Sequence, residues 1–250
     1  MRGPRADRTT PEQWVESPDP ERVRAVHRAL RRAYGRPQPQ QRRDPLDGLI
    51  ATLLSQSTTG ANARAAFAEL KRRFPEWDEC LAASGAEVVE AVRSAGLGQT
   101  RGPRIQAILA RVLADTGELS LEGLHRRASR DAMAYLLTLP GVGPKTAACV
   151  LLFSCARQVF PVDTHVARIA RRLGWAPASA SPEAIQAQLE PVIPGPLRYP
   201  LHVNLIAHGR AVCRASRPAC ERCVLREWCQ WARSGTTRWA PGGERRGRAG

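Results

Sequence analysis

The chain has 250 residues, 43% of them hydrophobic, which is enough to bury a sizeable core in one large or two small domains. Its formal net charge of +15 exceeds what solubility requires and indicates a polyanionic partner, with nucleic acid favoured over an anionic membrane surface. No apolar run is long enough to span a bilayer, and residues 1–16 lack the apolar stretch of a secretory signal, so we expect an intracellular protein, cytoplasmic or at the nucleoid.

Almost every segment has apolar residues at helical spacing, and no segment shows the sustained alternation of a strand, so the sequence predicts an all-α fold. Asp44-Pro45 and Ser181-Pro182 are typical helix starts, because proline suits the first helical turn. The predicted helices include, in chain order, residues 23–34, 46–54, 66–74, 88–92, 105–113, 133–137, 147–152, 166–173, 185–189 and 205–206.

The ends of the chain differ in composition from the segments between them. Residues 1–19 and 234–250 are rich in Arg, Gly, Pro and acidic residues without apolar spacing, which predicts disordered basic tails. Residues 36–43 contain Pro37, Pro39 and a glutamine run, a composition typical of a linker between the first helix and the main bundle.

Four of the seven cysteines are close together near the C-terminal end, in the pattern Cys213-x6-Cys220-x2-Cys223-x5-Cys229. Four thiolates in so short a stretch predict a closed metal site, which is structural because no coordination position is left open. The spacing is compatible with either zinc or an iron–sulfur cluster.

The remaining cysteines, Cys80, Cys149 and Cys155, are scattered and predict buried, inert thiols. Arginines accompany the clustered cysteines, and a metal there would hold Arg214 and Arg217 in a fixed geometry that suits phosphate contacts.

A glycine turn joins two short apolar helices at Pro140-Gly141-Val142-Gly143. Glycine lets the backbone approach a phosphate closely, and the helix that follows points its first N–H groups outward. With the net charge of +15, this turn favours sequence-independent binding of a DNA backbone over a plain helix–helix turn.

Lys145 follows the turn and is unusual in this chain. Of the 38 Lys and Arg residues, only Lys71 and Lys145 are lysines. Arginine holds its proton, whereas lysine can lose one and become a nucleophile, so Lys145 is a candidate nucleophile. Asp163 follows in the segment Val162-Asp163-Thr164-His165, where it could act in catalysis, cap a helix, or do both.

Residues 139–150, residues 162–165 and the four-cysteine spacing resemble the endonuclease III branch of the helix-hairpin-helix DNA glycosylases, over roughly residues 20–232. The resemblance implies two helical domains with a cleft between them. A six-helix bundle would occupy residues 43–157, with the helix-hairpin-helix motif at about 132–155, and a cluster domain would occupy residues 158–233. The first helix, residues 20–35, would pack with the cluster domain. The resemblance also implies that the cysteines bind a [4Fe-4S] cluster rather than zinc.

The same resemblance implies a monomeric, bifunctional DNA glycosylase and AP lyase of base excision repair, which acts on double-stranded DNA containing damaged bases or abasic sites. It implies that oxidised or ring-saturated pyrimidines are removed. Lys145 would attack the sugar C1′ and form a Schiff base, and β-elimination would cut the strand 3′ to the abasic site. Asp163 would be the essential partner of the lysine.

Further positions match the family less specifically. Gln56 resembles the glutamine that fills the gap left by an extruded base, and Gly96-Leu97 resembles a loop that inserts a leucine wedge into the duplex. Arg101 aligns with a basic residue just beyond that wedge, so the resemblance implies that it binds DNA. The resemblance also implies that His165 contacts the phosphate backbone. The alternatives are a helix-capping Gln56, a core leucine at Leu97 and a buried histidine at His165.

Two departures from the family pattern bear on specificity and binding. An acidic residue common in the family after the glutamine is missing from Ser57-Thr58-Thr59-Gly60, which affects contacts to the base opposite the lesion. Pro144 stands where a basic residue often precedes the lysine, which removes one phosphate contact and one backbone donor. Two other functions remain open: a monofunctional mismatch, uracil or adenine-type glycosylase, expected to lack this lysine, and a non-catalytic DNA-binding iron–sulfur protein.

Overall fold

The computed structural model of the chain describes residues 18–39 and 42–234. Within these ranges the regular structure is helical, without strands, which confirms the predicted all-α class. The predicted tails lie outside the described residues except at positions 18, 19 and 234. The α-helices of the described residues are α1 (Pro20–Tyr34), α2 (Pro45–Leu54), α3 (Gly60–Arg73), α4 (Trp77–Ala82), α5 (Gly85–Ala91), α6 (Gly98–Thr116), α7 (Ser129–Thr138), α8 (Pro144–Phe153), α9 (Thr164–Leu173), α10 (Pro182–Leu189), α11 (Gly195–Ala211) and α12 (Gln230–Arg233).

The helix starts predicted from proline are confirmed. The Asp44 side chain caps α2 by accepting a hydrogen bond of 2.8 Å from the Asp47 N–H, with Pro45 as the first helical residue. The Ser181 hydroxyl accepts a hydrogen bond of 3.2 Å from the Ala184 N–H at the start of α10. Each side chain satisfies one of the backbone donors that a helix leaves free at its first turn.

Helix α6 begins one to two turns earlier than the apolar spacing predicts. Its first residues include Gly98, Gly102 and Pro103, which provide no periodic apolar side chain and which disfavour a helix in isolation. Gly102 nevertheless is buried, because α6 packs closely on α5 at this position. The packing of α6 on α5 therefore outweighs the low helix propensity of its first turns.

The chain divides into two compact units. The first, called here the cysteine unit, contains the described residues 18–36 together with 163–192 and 201–234. The second, called here the hairpin unit, contains the described residues among Pro37–Val162 together with Ile193–Pro200. The hairpin unit includes α2 to α8, and the cysteine unit includes α1, α9, α10, α12 and most of α11.

Helix α8 lies at the centre of the hairpin unit and packs against α2 and α7. Every residue from Thr146 to Leu152 is buried, whereas Pro144 is exposed and Lys145 is half-buried. Each fully buried aliphatic side chain in such a core contributes about 1.5–3 kcal/mol. This burial fixes α8 in place and leaves its first turn accessible to solvent.

The cysteine unit has a core of its own. Helices α1, α9 and α10 each bury apolar residues, and α10 and α12 both pack against α9. The Asn204 side chain donates a hydrogen bond of 3.1 Å to the Gly35 carbonyl, which ties the end of α1 to α11.

No helix in residues 18–39 or 42–234 is long and apolar enough to cross a membrane.

We expect the substitution Gly102→Ala to destabilise the protein. An alanine Cβ would lie 2.8 Å from Val89 Cγ2 and 3.1 Å from the Val89 nitrogen, so α5 and α6 would have to move apart. In an open helical site alanine would gain about 1 kcal/mol over glycine, whereas here we expect a loss of about 1–3 kcal/mol in the free energy of unfolding. Urea unfolding followed by circular dichroism measures the difference.

Gly123→Ala is the matched control, because no atom lies within 4 Å of the position of its Cβ. Its free energy of unfolding should stay within about 0.5 kcal/mol of that of the wild type. Equal stability of Gly102→Ala and the wild type would contradict close packing of α5 on α6.

Candidate functional site

The predicted glycine turn connects α7 to α8 and is anchored on both sides. Leu139 and Val142 are buried, and the Val142 N–H donates a hydrogen bond of 3.1 Å to the Leu139 carbonyl. Gly141 is exposed with φ +71, a left-handed conformation that favours glycine, and Gly143 is the N-cap of α8. The two apolar residues therefore hold the turn while its glycines keep the backbone open to a ligand.

Lys145 is the second residue of α8 and is half-buried. The described residues provide no hydrogen-bond or ion-pair partner for its ammonium group. Lys71 is different, since its Nζ lies 4.4 Å from the centre of the Trp77 ring and donates a hydrogen bond to the Pro75 carbonyl. Of the two lysines, only Lys145 therefore has an amine available for chemistry.

Asp163 belongs to the cysteine unit, where it is half-buried and caps α9. Its Oδ1 accepts a hydrogen bond of 2.8 Å from the Val166 N–H. The capping function considered from the sequence is thus present. The bond fixes the orientation of the carboxylate and leaves Oδ2 free of it, so a catalytic role for Asp163 stays compatible with capping.

His165 is half-buried in the cysteine unit, two residues after the cap of α9. Its Nδ1 lies 3.0 Å from Arg168 Nη2, and a Cβ at Gly209 would lie 2.8 Å from His165 Cβ. Burial lowers the pKa of His165, with Asp163 opposing this and Arg168 adding to it. At neutral pH we therefore expect an uncharged ring, so any contact with a phosphate would be a hydrogen bond rather than an ion pair.

Leu97 is not a core leucine, because 64% of its surface is exposed. It precedes α6 with φ 53, in the left-handed region that costs a non-glycine residue about 1–3 kcal/mol. A strained and exposed leucine next to Gly96 is compatible with the predicted wedge.

Gln56 follows the end of α2 and is half-buried. Its Nε2 donates a hydrogen bond of 3.1 Å to Thr146 Oγ1, next to Lys145 in α8. The residue that follows it, Ser57, is exposed and has φ 50. The amide of Gln56 is therefore already engaged within the protein, and the exposed tip of the loop is the serine that follows it.

Arg101 is only 5% exposed, although the sequence predicted a contact with DNA. Its Nη1 donates a hydrogen bond of 2.5 Å to the Ala95 carbonyl, and its Nη2 donates to the Gln56 carbonyl. The guanidinium group is thus directed at the protein's own backbone.

Arg104, which the sequence analysis did not single out, lies against the glycine turn. A Cβ at Gly141 would lie 2.5 Å from Arg104 Nε and 2.8 Å from its Cζ. The two residues are distant in sequence, and no local pattern marks Arg104, so only the tertiary structure identifies it. It places a positive charge beside the turn, where the sequence has Pro144 instead of a basic residue.

The four clustered cysteines line one cavity of the cysteine unit. Arg172 of α9 and Trp231 of α12 also line it. No group of three His, Cys, Asp or Glu side chains in the described ranges is placed to hold a single metal ion. The four cysteines therefore line a common space. The cysteines concerned are Cys213, Cys220, Cys223 and Cys229.

Polar side chains contact two of these sulfurs. Arg172 Nη1 donates a hydrogen bond of 3.1 Å to Cys213 Sγ, and His208 Nε2 lies 3.4 Å from Cys223 Sγ. The Tyr34 hydroxyl lies 2.9 Å from the other ring nitrogen of His208. Burial raises the pKa of Cys223 to about 11, so charged thiolates at this site need a positively charged group to balance them.

Arg214 and Arg217 are both exposed on the loop between Cys213 and Cys220, and Arg217 has φ 54. Exposed guanidinium groups on a loop of this kind can reach a phosphate backbone.

The prediction that the remaining three cysteines are buried is confirmed. Cys80, Cys149 and Cys155 are all buried. Burial also raises the pKa of Cys80 and of Cys155 to about 11, which suppresses the reactive thiolate form.

The helical fold and the glycine turn define a helix-hairpin-helix protein. Residues 50–194 match the HhH-GPD superfamily base excision DNA repair protein family, and the chain belongs to this family. It is 31% identical to endonuclease III of Thermotoga maritima over 197 residues, which are 79% of this chain and 88% of that protein. The DNA glycosylase/AP lyase ROS1 of Arabidopsis thaliana is 34% identical over 190 residues, 68% of this chain.

The chain spans only part of the plant relatives, 14% of ROS1 and 56% of another Arabidopsis thaliana protein that is 41% identical. Among solved structures, a trapped covalent intermediate of endonuclease III with DNA matches with a TM-score of 0.72 and 26% sequence identity. That match covers 86% of this chain and 98% of the other. These comparisons confirm the resemblance and the all-α helix-hairpin-helix fold inferred from the sequence.

We expect Gly141→Ala to weaken DNA binding about tenfold, which corresponds to about 1.4 kcal/mol. The substitution strains a backbone with φ +71 and forces the Arg104 side chain, 2.5 Å from the added Cβ, away from the turn. Fluorescence anisotropy with a duplex that contains a stable abasic-site analogue measures the dissociation constant.

Gly117→Ala is the control, since Gly117 has φ +76 and no atom within 4 Å of its Cβ position. It introduces the same backbone strain at the end of α6 and should leave the affinity for DNA unchanged. Unchanged affinity in Gly141→Ala would show that the turn does not contact the duplex.

Proposed function

We propose that this chain is a DNA glycosylase with AP lyase activity that uses Lys145 as a nucleophile. The observation that carries the proposal is the amine of Lys145 at the accessible first turn of α8, directly after the glycine turn. Residues 18–39 and 42–234 provide no partner for this amine. A monofunctional glycosylase, which activates water instead, has no need for an amine at this position. A non-catalytic DNA-binding protein would have no need for it either.

Two of the similar proteins support a covalent mechanism. ROS1 is named as a DNA glycosylase/AP lyase, and one matching structure holds a trapped covalent intermediate of endonuclease III with DNA. A covalent intermediate with the sugar requires a nucleophile in the protein, and lysine supplies one that can form a Schiff base.

The first step of the proposed reaction is extrusion of the damaged nucleotide. A base inside a duplex is out of reach of a side chain, and rotating it out costs a few kcal/mol, less for a weakly stacked lesion. Leu97 enters the duplex and occupies part of the vacated space. The backbone of the glycine turn, Arg104 and the exposed arginines of the cysteine loop bind phosphates of the distorted strand.

The second step is displacement of the base. The neutral amine of Lys145 attacks C1′, the bond from C1′ to the base nitrogen breaks, and the base leaves after taking up a proton. Asp163 accepts the proton that the lysine ammonium must lose, and its negative charge stabilises the oxocarbenium-like sugar. Opening of the sugar ring at O4′ then gives the Schiff base between Lys145 and C1′.

The third step cuts the strand. Loss of a proton from C2′ of the Schiff base drives elimination of the phosphate at C3′, which breaks the strand on the 3′ side. Water then hydrolyses the Schiff base and restores the amine of Lys145.

Oxidised or ring-saturated pyrimidines are the proposed substrates. A ring-saturated pyrimidine loses planarity and stacks weakly, which lowers the free energy needed to extrude it. The resemblance to the endonuclease III branch noted in the sequence implies this class of lesion. Excision assays across duplexes that contain different lesions and different opposite bases test the choice.

We also propose that the four cysteines bind a [4Fe-4S] cluster. A single tetrahedral zinc ion with Zn–S distances of about 2.3 Å brings its four sulfurs to within roughly 4 Å of each other. A four-iron cluster binds one thiolate at each iron and separates the thiolates further. Four cysteines around one cavity supply one thiolate for each iron of such a cluster. When bound, the cluster would hold the loop that presents Arg214 and Arg217.

We expect Lys145→Gln to abolish borohydride-trapped adducts with abasic DNA, because the amide of glutamine cannot form a Schiff base. Binding to the same duplex should be largely retained. Lys71→Gln is the matched control, and it should still give the adduct because the amine of Lys71 is held at Trp77.

The same assay separates the three candidate functions. Absence of an adduct in the wild type, together with base excision, would support a monofunctional glycosylase. Absence of both adduct and excision with intact binding would support a non-catalytic DNA-binding protein. Asp163→Asn should reduce base excision strongly while the affinity for DNA is retained.

We expect the purified protein to contain iron and inorganic sulfide in the equal proportions of a [4Fe-4S] cluster. Cys220→Ser should lower the iron content, because the serine oxygen is a poorer ligand for these irons than a thiolate. Cys149→Ser is the control, since this cysteine is buried within α8 and should not affect the iron content. Zinc without iron in the wild-type protein would contradict the cluster.

A further inference from the structure

We propose that Arg101 is a positioning residue rather than a residue that contacts DNA. It holds the loop of Leu97, which is proposed to enter the duplex, to the neighbouring loop of Gln56. The proposal rests on the wedge role proposed above for Leu97. The two loops are the turn after α2, residues 55–59, called here the glutamine loop, and residues 92–97 before α6, called here the wedge loop.

The guanidinium group of Arg101 joins the two loops by their backbones. It lies on α6 and is 5% exposed, and it donates one hydrogen bond to the Ala95 carbonyl and another to the Gln56 carbonyl. Ala95 lies two residues before Leu97, and Gln56 lies directly before Ser57. The Arg101 side chain therefore donates a hydrogen bond to a backbone carbonyl close to the exposed residue of each loop.

Both loop tips have the same kind of backbone strain. Ser57 has φ 50 and Leu97 has φ 53, and both side chains are exposed. Strained conformations of non-glycine residues persist only where the surrounding structure enforces them. A hydrogen bond to the carbonyl one or two residues earlier provides such a restraint in each loop.

The chemistry of arginine suits this function. Burial lowers the pKa of Arg101, and the described residues provide no salt-bridge carboxylate for it. Burying its positive charge therefore costs free energy, which the two hydrogen bonds to carbonyl groups help to offset. The planar guanidinium group presents several N–H donors in a rigid fork and can hold two carbonyl groups at a fixed separation. An ammonium group on a flexible stem lacks this rigidity.

The connection continues to the proposed nucleophile. Gln56, whose carbonyl binds Arg101, also donates through its side chain to Thr146, which neighbours Lys145 in α8. The wedge loop, the glutamine loop and the start of α8 are therefore linked by consecutive hydrogen bonds. This linkage would fix the position of Leu97 relative to the amine that attacks the sugar.

Arg104 provides a contrast on the same helix. It is half-buried and lies against Gly141, and the described residues provide no hydrogen-bond or ion-pair partner for its guanidinium group. Arg104 is thus placed to contact a phosphate, whereas the hydrogen-bonding groups of Arg101 are directed inward. The pair supplies a matched comparison, since both are arginines within one turn of α6.

The first test compares the salt dependence of DNA binding. Each phosphate contact adds about 0.9 to the slope of log K against log salt concentration for duplex DNA. Arg104→Gln should reduce this slope by about one. Arg101→Met and the milder Arg101→Lys should both leave the slope unchanged. In Arg101→Met, the equilibrium constant for extrusion of the lesion should fall by about tenfold or more. The fluorescence of a 2-aminopurine placed beside the lesion measures this extrusion. A slope reduced by about one in Arg101→Met but retained in Arg101→Lys, which keeps the charge, would overturn the proposal.

The second test needs no DNA. Hydrogen–deuterium exchange of the free protein should become faster in the glutamine loop and the wedge loop together in Arg101→Met, with a smaller increase in Arg101→Lys. Unchanged exchange in both loops, or an equal increase throughout the hairpin unit, would overturn the proposal. If Leu97→Ala leaves extrusion unaffected, the wedge role fails, and the exchange measurement still decides whether Arg101 clamps the loops.

Discussion

The burial of α8 is the constraint on which the proposed chemistry depends. Residues Thr146 to Leu152 are all inside the hairpin unit, so the helix cannot shift or rotate without exposing apolar surface. Its first turn is accessible to solvent, and Lys145 lies there, directly after the glycine turn. A nucleophile must be held close to its target atom to react efficiently, and a buried helix provides that rigidity. Rigidity at Lys145 is thus a consequence of packing further along the helix.

The use of positive charge differs from site to site within the same chain. Arg101 is buried and binds carbonyl groups, Arg104 lies beside the glycine turn, and Arg172 binds the sulfur of Cys213. Each of these functions suits a guanidinium group, which keeps its charge and directs several donors in a plane. Lysine is confined to two positions, and only Lys145 has an amine without a partner among the described residues. The scarcity of lysine therefore singles out Lys145 as the candidate nucleophile.

Local signals in the sequence predicted the parts of the fold and site that depend on neighbouring residues. The proline starts of α2 and α10 and the turn at Gly141 are of this kind, because a cap or a glycine turn is complete within a few residues. The early start of α6 could not be predicted, since glycine and proline there are held by packing against α5. The inward orientation of Arg101 and the position of Arg104 depend on contacts distant in sequence, and charge alone does not distinguish a DNA contact from a clamp.

The central claim is that one amine of this chain attacks the sugar. The most direct test is to reduce the complex of the wild-type protein and abasic DNA with borohydride, digest it, and identify the modified residue by mass spectrometry. Because the chain has only two lysines, the assignment is unambiguous. The account predicts that the sugar is attached to the peptide containing Lys145. Attachment to Lys71 or to the terminal amine, or a failure to form any adduct, would contradict it.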